Sequence, residues 1–462
     1  MKTANFKLLF LVLVILFQGW SVHAQQKGWP RGGTSDNDKV EASPLLVNLD
    51  SDNRMEIIVP SFDDKLYIYK HDGTAFNANW PKVLGFSDGT IASVAVGNVD
   101  GGSDLEIVVL GDDINHLNAT VKVYKPATGN LLTSKNLNTI ASGKATPCLI
   151  DCYRYSGATR HSELEILVRD GNGKVHILKW NSGTQQLDTV STFETCTEDS
   201  QRDRYGSQPI TPSVSAEYLG NDETFIVVPS TNNKVYCRKV KSDATNNWNL
   251  LSNFTIESGG PDTTRFLSSA VLADVDDDES SEIIVGTTSC EVYVWDNTGT
   301  LCSGWPQNTS QPVISSPAVA DLDDDDDLEI MVGCDDGLVY IWNEDGTSLS
   351  GWPKGTLGDI FGSPVAAEVD GNVGLDVVAA SFDGYMYAWT SSGNSLSGWP
   401  KNLNTPVFAS PAVCDIHDGG RMAIVTAGYD GQIFVFDVSP KSLDVDAGWQ
   451  QFRGGIERQG HN

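Results

Sequence analysis

A short acidic segment that recurs along the chain is the feature of this sequence with the clearest chemistry. In its fullest copy the acidic side chains fall mainly on alternate residues of one turn-rich run: Asp321, Asp323, Asp325, Asp327 and Glu329. Carboxylates at positions 1, 3, 5 and 9 of a tight loop, with a main-chain carbonyl near position 7, can converge on one hard cation. Because crowded carboxylates on a flexible loop suit calcium better than magnesium, the segment predicts a Ca²⁺ site.

Four further copies carry the same alternation in register. Their candidate ligands are Asp274, Asp276, Asp278 and Glu282; Glu368, Asp370, Asn372 and Asp376; Asn48, Asp50, Asp52 and Glu56; and Asn98, Asp100, Asp104 and Glu106. Calcium modules outside cells bind at about 10⁻⁴–10⁻³ M, so ambient calcium there would fill such loops. The alternative is that these segments are acidic turns in contact with water alone.

The acidic segments belong to a longer repeat. Residues 315–353 and 362–400 align without a gap at a period of 47 residues, and looser copies bring the number of units to eight. Each unit has four short apolar runs separated by Gly, Asp, Asn and Pro, which is typical of strands joined by turns. The sequence therefore predicts an all-β fold, a single closed β-propeller of eight four-stranded blades. Seven blades is the alternative, because the third and fourth units are degenerate.

The first 24 residues have the form of a signal peptide. Two lysines precede an apolar run over residues 8–17, which is too short to span a bilayer, and small residues mark a cleavage site near Ala24. We expect residues 1–24 to be removed and residues 25–462 to form the propeller in a periplasmic or extracellular compartment. No second long apolar stretch follows, so membrane insertion is not expected.

Motifs near both ends of the mature chain predict how the ring of blades closes. Gly28-Trp29-Pro30 and Gly448-Trp449-Gln450 are similar to the Gly-Trp-Pro that ends the best repeats. One of them is expected to complete the last blade while the other lies over it, because a ring of blades must close on itself to bury every blade face.

The formal net charge of −30 limits the classes of partner. A surface this acidic repels phosphate backbones and anionic membranes, so nucleic acid is not expected as a partner. The eight cysteines do not recur at one repeat position. In an oxidising compartment some of them, such as Cys290 and Cys302, can form disulfides, and reduced cysteines in the core are the alternative.

Two stretches of the repeats resemble known propeller families. The run Phe361-Gly362-Ser363-Pro364, followed by an acidic segment and Asp376-Val-Val-Ala, resembles the FG-GAP or VCBS repeat of integrin-α-type propellers. The resemblance covers nearly all of residues 25–462 and implies calcium in the loop between the first two strands of a blade. The segment that starts at Asp336-Gly337 also resembles quinoprotein-like eight-bladed propellers. Neither resemblance implies a particular ligand.

The face of the ring opposite the acidic segments carries the candidate ligand-binding residues. Its loops hold a set of aromatic side chains: Phe62, Phe382 and Tyr429 between second and third strands, and Phe86, Phe266, Phe361 and Phe408 between blades. These rings can contact a ligand, or they can plug the channel and fill the core. An insertion between the third and fourth units adds basic residues suited to an anionic ligand, near Arg265: Arg202 and Arg204, with Tyr205 beside them.

Two functions are consistent with these features. The first is a secreted, calcium-binding module without catalysis that binds or adheres to an extracellular protein or glycan. The second is an enzyme on the same ring, such as a calcium-dependent polysaccharide lyase that uses the arginine cluster. No catalytic residue stands out, because the acidic pairs are too numerous and fold alone does not supply function. The oligomeric state is left open.

Overall fold

The computed structural model describes residues 39–50, 52–86, 93–112, 118–138, 145–151, 163–195, 212–242, 248–261 and 264–440. The expected signal peptide and the two terminal tryptophan motifs lie outside these residues. Within them the chain forms eight antiparallel sheets and no helix, seven sheets having four strands and the last having three. The predicted all-β propeller is confirmed, with eight blades rather than seven.

Each blade is a simple meander in which strands pair in chain order. Blades 1 and 2 consist of β1 (Leu45–Val47), β2 (Glu56–Ser61), β3 (Lys65–Tyr69), β4 (Lys82–Val83), β5 (Ala95–Gly97), β6 (Glu106–Asp112), β7 (Ala119–Lys125) and β8 (Asn130–Asn136). Blades 3 and 4 consist of β9 (Cys148–Ile150), β10 (Glu165–Arg169), β11 (Lys174–Asn181), β12 (Gln186–Glu194), β13 (Ser215–Gly220), β14 (Glu223–Pro229), β15 (Lys234–Ser242) and β16 (Trp248–Glu257).

The second half of the ring repeats the plan with shorter strands. Blades 5 and 6 consist of β17 (Val271–Ala273), β18 (Glu282–Gly286), β19 (Glu291–Trp295), β20 (Gln307–Asn308), β21 (Ala318–Ala320), β22 (Glu329–Gly333), β23 (Leu338–Trp342) and β24 (Lys354–Gly355). Blades 7 and 8 consist of β25 (Val365–Ala367), β26 (Asp376–Ala380), β27 (Tyr385–Thr390), β28 (Lys401–Asn402), β29 (Ala412–Cys414), β30 (Arg421–Ala427) and β31 (Ile433–Pro440).

Packing between blades explains the apolar pattern of each unit. The second strand β22 is buried along its whole length, because neighbouring blades cover both of its faces. Its neighbour β23 is half-buried at alternate positions. One continuous core cluster joins Ile284 of blade 5, Ile330 of blade 6 and Val377 of blade 7. The ring is therefore held by apolar contacts between successive sheets.

The Gly-Trp-Pro motifs of blades 5 and 6 join each of these blades to the next one. The indole of Trp352 donates a hydrogen bond to the Ser391 carbonyl of the next blade at 2.6 Å and packs edge-on against Trp389. Trp305 does the same one blade earlier. Gly351 precedes this indole with a φ of 97°, and a Cβ there would lie 2.3 Å from the Ser392 carbonyl oxygen. The motif therefore needs glycine for both backbone conformation and space.

A ring of hydroxyl side chains connects the blades near the axis. Hydrogen bonds link residues that stand two positions before the first strands, each amide donating to the next hydroxyl: Ser43 to Ser93, Thr146 to Ser213, Ser213 to Ser269, Ser269 to Ser316, Ser363 to Ser410, and Ser410 to Ser43. The last of these joins blade 8 to blade 1 across 367 residues of sequence. The Met55 amide also donates to the Ile416 carbonyl at the same junction. The described residues thus close the ring without the terminal motifs.

Cys290 and Cys302, the pair considered for a disulfide, both carry free thiols. Over the described ranges, no helix is long and apolar enough to cross a membrane.

Candidate metal centres and the opposite face

The acidic loops occupy the connection between the first and second strands of a blade, as the repeat pattern predicts. In blade 6 the last acid of the loop, Glu329, opens β22 and pairs with Ala320, the last residue of β21. Glu282 and Glu56 hold the same register against Ala273 and Val47. The sheet therefore fixes one carboxylate at the base of each loop.

The backbone inside the loop turns through the left-handed region at alternate residues. Asp324 and Asp326 of blade 6 have φ values of 63° and 77°, and Asp277 and Glu279 of blade 5 have 53° and 69°. Non-glycine residues adopt this conformation at a cost, which aspartate tolerates better than most. Each loop thus brings together the acids at its odd-numbered positions.

Three loops gather three carboxylates so closely that one ion can reach all of them. The ligand oxygens lie within 4.8 Å of one another in Asp50, Asp52 and Glu56; in Asp274, Asp276 and Glu282; and in Asp321, Asp323 and Asp325. The side chains of the other predicted ligands of these loops, Asp327 excepted, accept amides of the loop backbone. Asn48 accepts the Asp50 amide, and Asp278 accepts the Ser280 amide. The amide of Asp327 donates to Asp325.

A buried glutamate lies at the base of each loop; it belongs to the triad in blades 1 and 5 and follows it in the chain in blade 6. One oxygen of Glu282 accepts the Val275 amide at 3.0 Å, and one oxygen of Glu329 accepts the Leu322 amide at 2.6 Å. Glu56 accepts the Leu49 amide in the same way, and its other oxygen, Oε1, is buried without a hydrogen-bond partner. An unpaired buried carboxylate oxygen is costly, so a cation beside this atom would stabilise it.

Burial and crowding act together on the protonation of these acids. Loss of contact with water, together with the charges of the neighbouring aspartates, raises the pKa of Glu282 and of Glu329 to about 8. The same two causes raise the pKa of Glu56 to about 7. An all-oxygen donor set with this excess of negative charge fits a hard divalent ion.

Asn343 is a site residue that the loop pattern does not reveal. It follows Trp342, which pairs with Ile330, so it stands across from Glu329 at the end of β23. Its amide nitrogen donates to Thr347, while its oxygen Oδ1 is buried with no partner. Blade 6 therefore has a further acceptor oxygen beside its acidic loop.

Blade 2 differs because a lysine lies between its carboxylates. The Lys125 ammonium is 2.7 Å from Oδ2 of Asp100 and 2.6 Å from Oε1 of the buried Glu106. The remaining predicted ligands of blade 2 make hydrogen bonds within the loop. Asn98 bonds to the backbone of Gly101 and Gly102, and Asp104 accepts the Ser103 hydroxyl.

The predicted ligands of blade 7 are bonded mainly to backbone amides. Glu368 accepts the Gly371 amide, and Asp376 accepts the amides of Val369 and Asp370. Asn372 donates to Asp370. Burial raises the pKa of Asp376 to about 7.

The aromatic residues of the opposite face divide into two groups. Phe86 and Phe266 are buried in the core. Four half-buried rings over blades 7 and 8 form what we call the aromatic cluster: Phe361, Phe382, Phe408 and Tyr429. Phe361 and Phe408 stack at 5.0 Å, and the Lys39 ammonium lies 4.8 Å over Tyr429. Phe62 is half-buried in the corresponding loop of blade 1.

The predicted basic cluster is only partly described. Arg202, Arg204 and Tyr205 lie outside the described residues. Arg265 stands between blades 4 and 5, where its amide donates to the Thr288 hydroxyl and its side chain is half-buried.

Comparison with known proteins identifies the fold alone. No family model matches the sequence, and no curated protein matches it. Among solved structures, Sqt1 of Saccharomyces cerevisiae is similar with a TM-score of 0.57 at 13% identity, over 90% of this chain and 100% of that one. The Dos1 propeller gives 0.51 at 13%, over 90% and 96%. BBS1N, solved in complex with ARL6DN, gives 0.50 at 11%, over 90% and 98%. The chain thus shares an architecture with propellers of very different sequence.

Proposed function

We propose that this chain is a secreted, calcium-stabilised β-propeller that works as a non-catalytic binding module for a protein partner. The observation that carries the metal part is the grouping of three carboxylates within 4.8 Å in each of blades 1, 5 and 6. The buried, unpaired Oε1 of Glu56 supports it, because a cation there would satisfy the atom.

A calcium ion suits an extracellular protein with these loops. Affinities of about 10⁻⁴–10⁻³ M are enough where calcium is abundant, and too weak for most cytoplasmic conditions. The signal-peptide pattern of residues 1–24 agrees with such a location. The ion would neutralise loops that otherwise repel themselves, so its role is structural.

The aromatic cluster supports recognition of a protein. Its rings are half-buried and lie on the face opposite the metal loops, where loops of a rigid scaffold usually recognise partners. Sugar rings stack on open aromatic faces, but Phe361 and Phe408 cover each other and Lys39 covers Tyr429. An apolar side chain of a protein can instead contact the exposed ring edges. The complex of BBS1N with ARL6DN supports this by analogy of fold alone.

The binding face can be tested with a matched pair of variants. A partner captured by the full chain from secreted proteins of its source is purified, and its affinity is measured for wild type, Phe382→Ala and Val373→Ala. Loss of a central aromatic contact is expected to weaken binding about tenfold or more. Val373 is 90% exposed in an acidic loop on the other face, so its variant is expected to bind like wild type.

Three results would contradict the proposal. Equal affinity of Phe382→Ala and wild type would exclude the aromatic cluster as the binding face. Specific binding on a glycan array would make the ligand a sugar. Unsaturated uronate ends released from acidic polysaccharides would make the protein a lyase.

A further inference from the structure

In six of the eight blades, one position near the end of the third strand holds a residue whose charge differs from blade to blade. In blade 2, Ile107 of the second strand pairs with Tyr124 of the third, and the residue in question is the next one, Lys125. In blade 6, Ile330 pairs with Trp342, and the residue is Asn343. It stands across from the buried acid at the base of the loop. It is lysine in blades 1, 2 and 3 and an uncharged or acidic residue in blades 5, 6 and 7: Lys70, Lys125, Lys179, Asp296, Asn343 and Thr390.

In blade 2 this lysine makes the contacts that a cation would make. Its ammonium bonds at 2.6 and 2.7 Å to the acids at loop positions 9 and 3, Glu106 and Asp100. The corresponding positions in blade 5, Glu282 and Asp276, belong to a carboxylate triad. Glu106 is fully buried, and Lys125 supplies the partner of its Oε1.

We propose that Lys125 is a built-in cation that replaces the metal ion in blade 2, so that removing its charge converts this loop into an additional divalent-cation site. This inference rests on the proposed function, because it assumes that the equivalent loops of other blades bind calcium. The two carboxylates within 2.7 Å of the Lys125 ammonium give it the surroundings of a bound cation.

The other blades show what the lysine must do to act as a replacement. In blade 1, Lys70 reaches only Asp50, at 3.4 Å, and Oε1 of Glu56 stays without a partner. In blade 5 the residue is Asp296, whose carboxylate accepts amides of its own turn. In blade 6 it is Asn343, whose Oδ1 is buried and unpaired. Lys125 differs because its ammonium contacts the acids at both position 3 and position 9 of its loop, as a bound ion would.

A reciprocal exchange between blades 2 and 6 tests this directly. Lys125→Asn gives blade 2 the residue of blade 6, and Asn343→Lys does the reverse. Each full-length variant is dialysed against calcium at about 5 mM, above the usual range for extracellular modules. Bound calcium per folded chain is then measured by mass spectrometry of the metal. Lys125→Asn is expected to bind one ion more than wild type, and Asn343→Lys one ion fewer.

Lys135→Asn is the matched control, since it removes the same charge from the adjacent strand β8 of the same blade and is expected to leave the count unchanged. An unchanged count in folded Lys125→Asn would overturn the inference. If that variant does not fold, Asn343→Lys decides the question, and an undiminished count there would overturn it equally. A wild type that binds no calcium would instead refute the proposed function, so the two failures are distinguishable.

Discussion

At the scale of the residue, the proposed dependence on calcium is concentrated in the buried acid at the base of each loop. Glu282 is 3% exposed, and burial together with three neighbouring aspartates raises its pKa to about 8. A charged carboxylate in this position is destabilising when the loop holds no ion, because it is buried among like charges and the Val275 amide is a small compensation. In the proposed site the same carboxylate is a calcium ligand.

The variant Glu282→Gln should therefore reverse its effect with calcium. In chelator it is expected to melt at the same temperature as wild type or higher, because the amide removes a repelled charge. In saturating calcium it should melt lower, since a site filled at 100 times its dissociation constant adds about 2.7 kcal/mol to the stability of wild type. Calorimetry in chelator and in saturating calcium measures the melting temperatures of the variant and of wild type. A variant destabilised equally in the two conditions would contradict a metal role for Glu282.

The sequence reveals the loop acids but not the residues across from them. Acids such as Asp321 and Asp323 lie two residues apart in one short loop, so their spacing alone predicts a common site. Lys125 and Asn343 reach their loops only through the register between the second and third strands. Nothing in the local pattern around Tyr124-Lys125 or Trp342-Asn343 shows this, although aligning the repeats on their third strands brings both to one position.

At the scale of the element, the outer tryptophans act as links between blades rather than as strand residues. The sequence predicts a fourth strand around Trp352, but β24 starts two residues later, at Lys354. The residues before it form a turn that places the indole on the next blade, and Pro353 has no amide to donate to a sheet. The apolar runs of the second and third strands are predicted well, because their burial dictates their composition.

Removal of one of these links should destabilise the ring. Trp352 is 7% exposed, and Trp352→Ala is expected to lower the free energy of unfolding by about 3–5 kcal/mol, the usual cost of a large cavity. Trp352→Phe keeps a ring and loses the hydrogen bond to Ser391, so it should cost less. Guanidinium unfolding measures both against Leu357→Ala, an 88% exposed control that should change little. Equal stability of Trp352→Ala and this control would show that the indole does not join the blades.

At the scale of the whole molecule, the propeller closes where blade 8 meets blade 1, and a buried serine hydroxyl bonds the two blades there. Ser43 accepts the Ser410 amide across the junction of blades 8 and 1, as Ser316 accepts the Ser269 amide between blades 5 and 6. Both hydroxyls are at least nine-tenths buried. The sequence predicts eight units and closure through terminal motifs; the described contacts close the ring through the core and these serines.

The variants Ser43→Ala and Ser316→Ala should accordingly have similar effects. Each leaves a buried amide without its acceptor, which costs about 1–3 kcal/mol. Their unfolding free energies are compared in the same denaturant series. If Ser316→Ala is destabilising while Ser43→Ala is neutral, blades 8 and 1 do not meet in solution as they do here.

The most direct test of the calcium-stabilised propeller is to locate the ions themselves. Crystals of the full chain are soaked with terbium, a substitute for calcium with strong anomalous scattering, and the anomalous difference density is calculated. We expect peaks within the triads of blades 1, 5 and 6, next to Glu56, Glu282 and Asp323, and none between Asp100 and Glu106, where Lys125 lies. Density without a peak at any of the three triads would contradict the account.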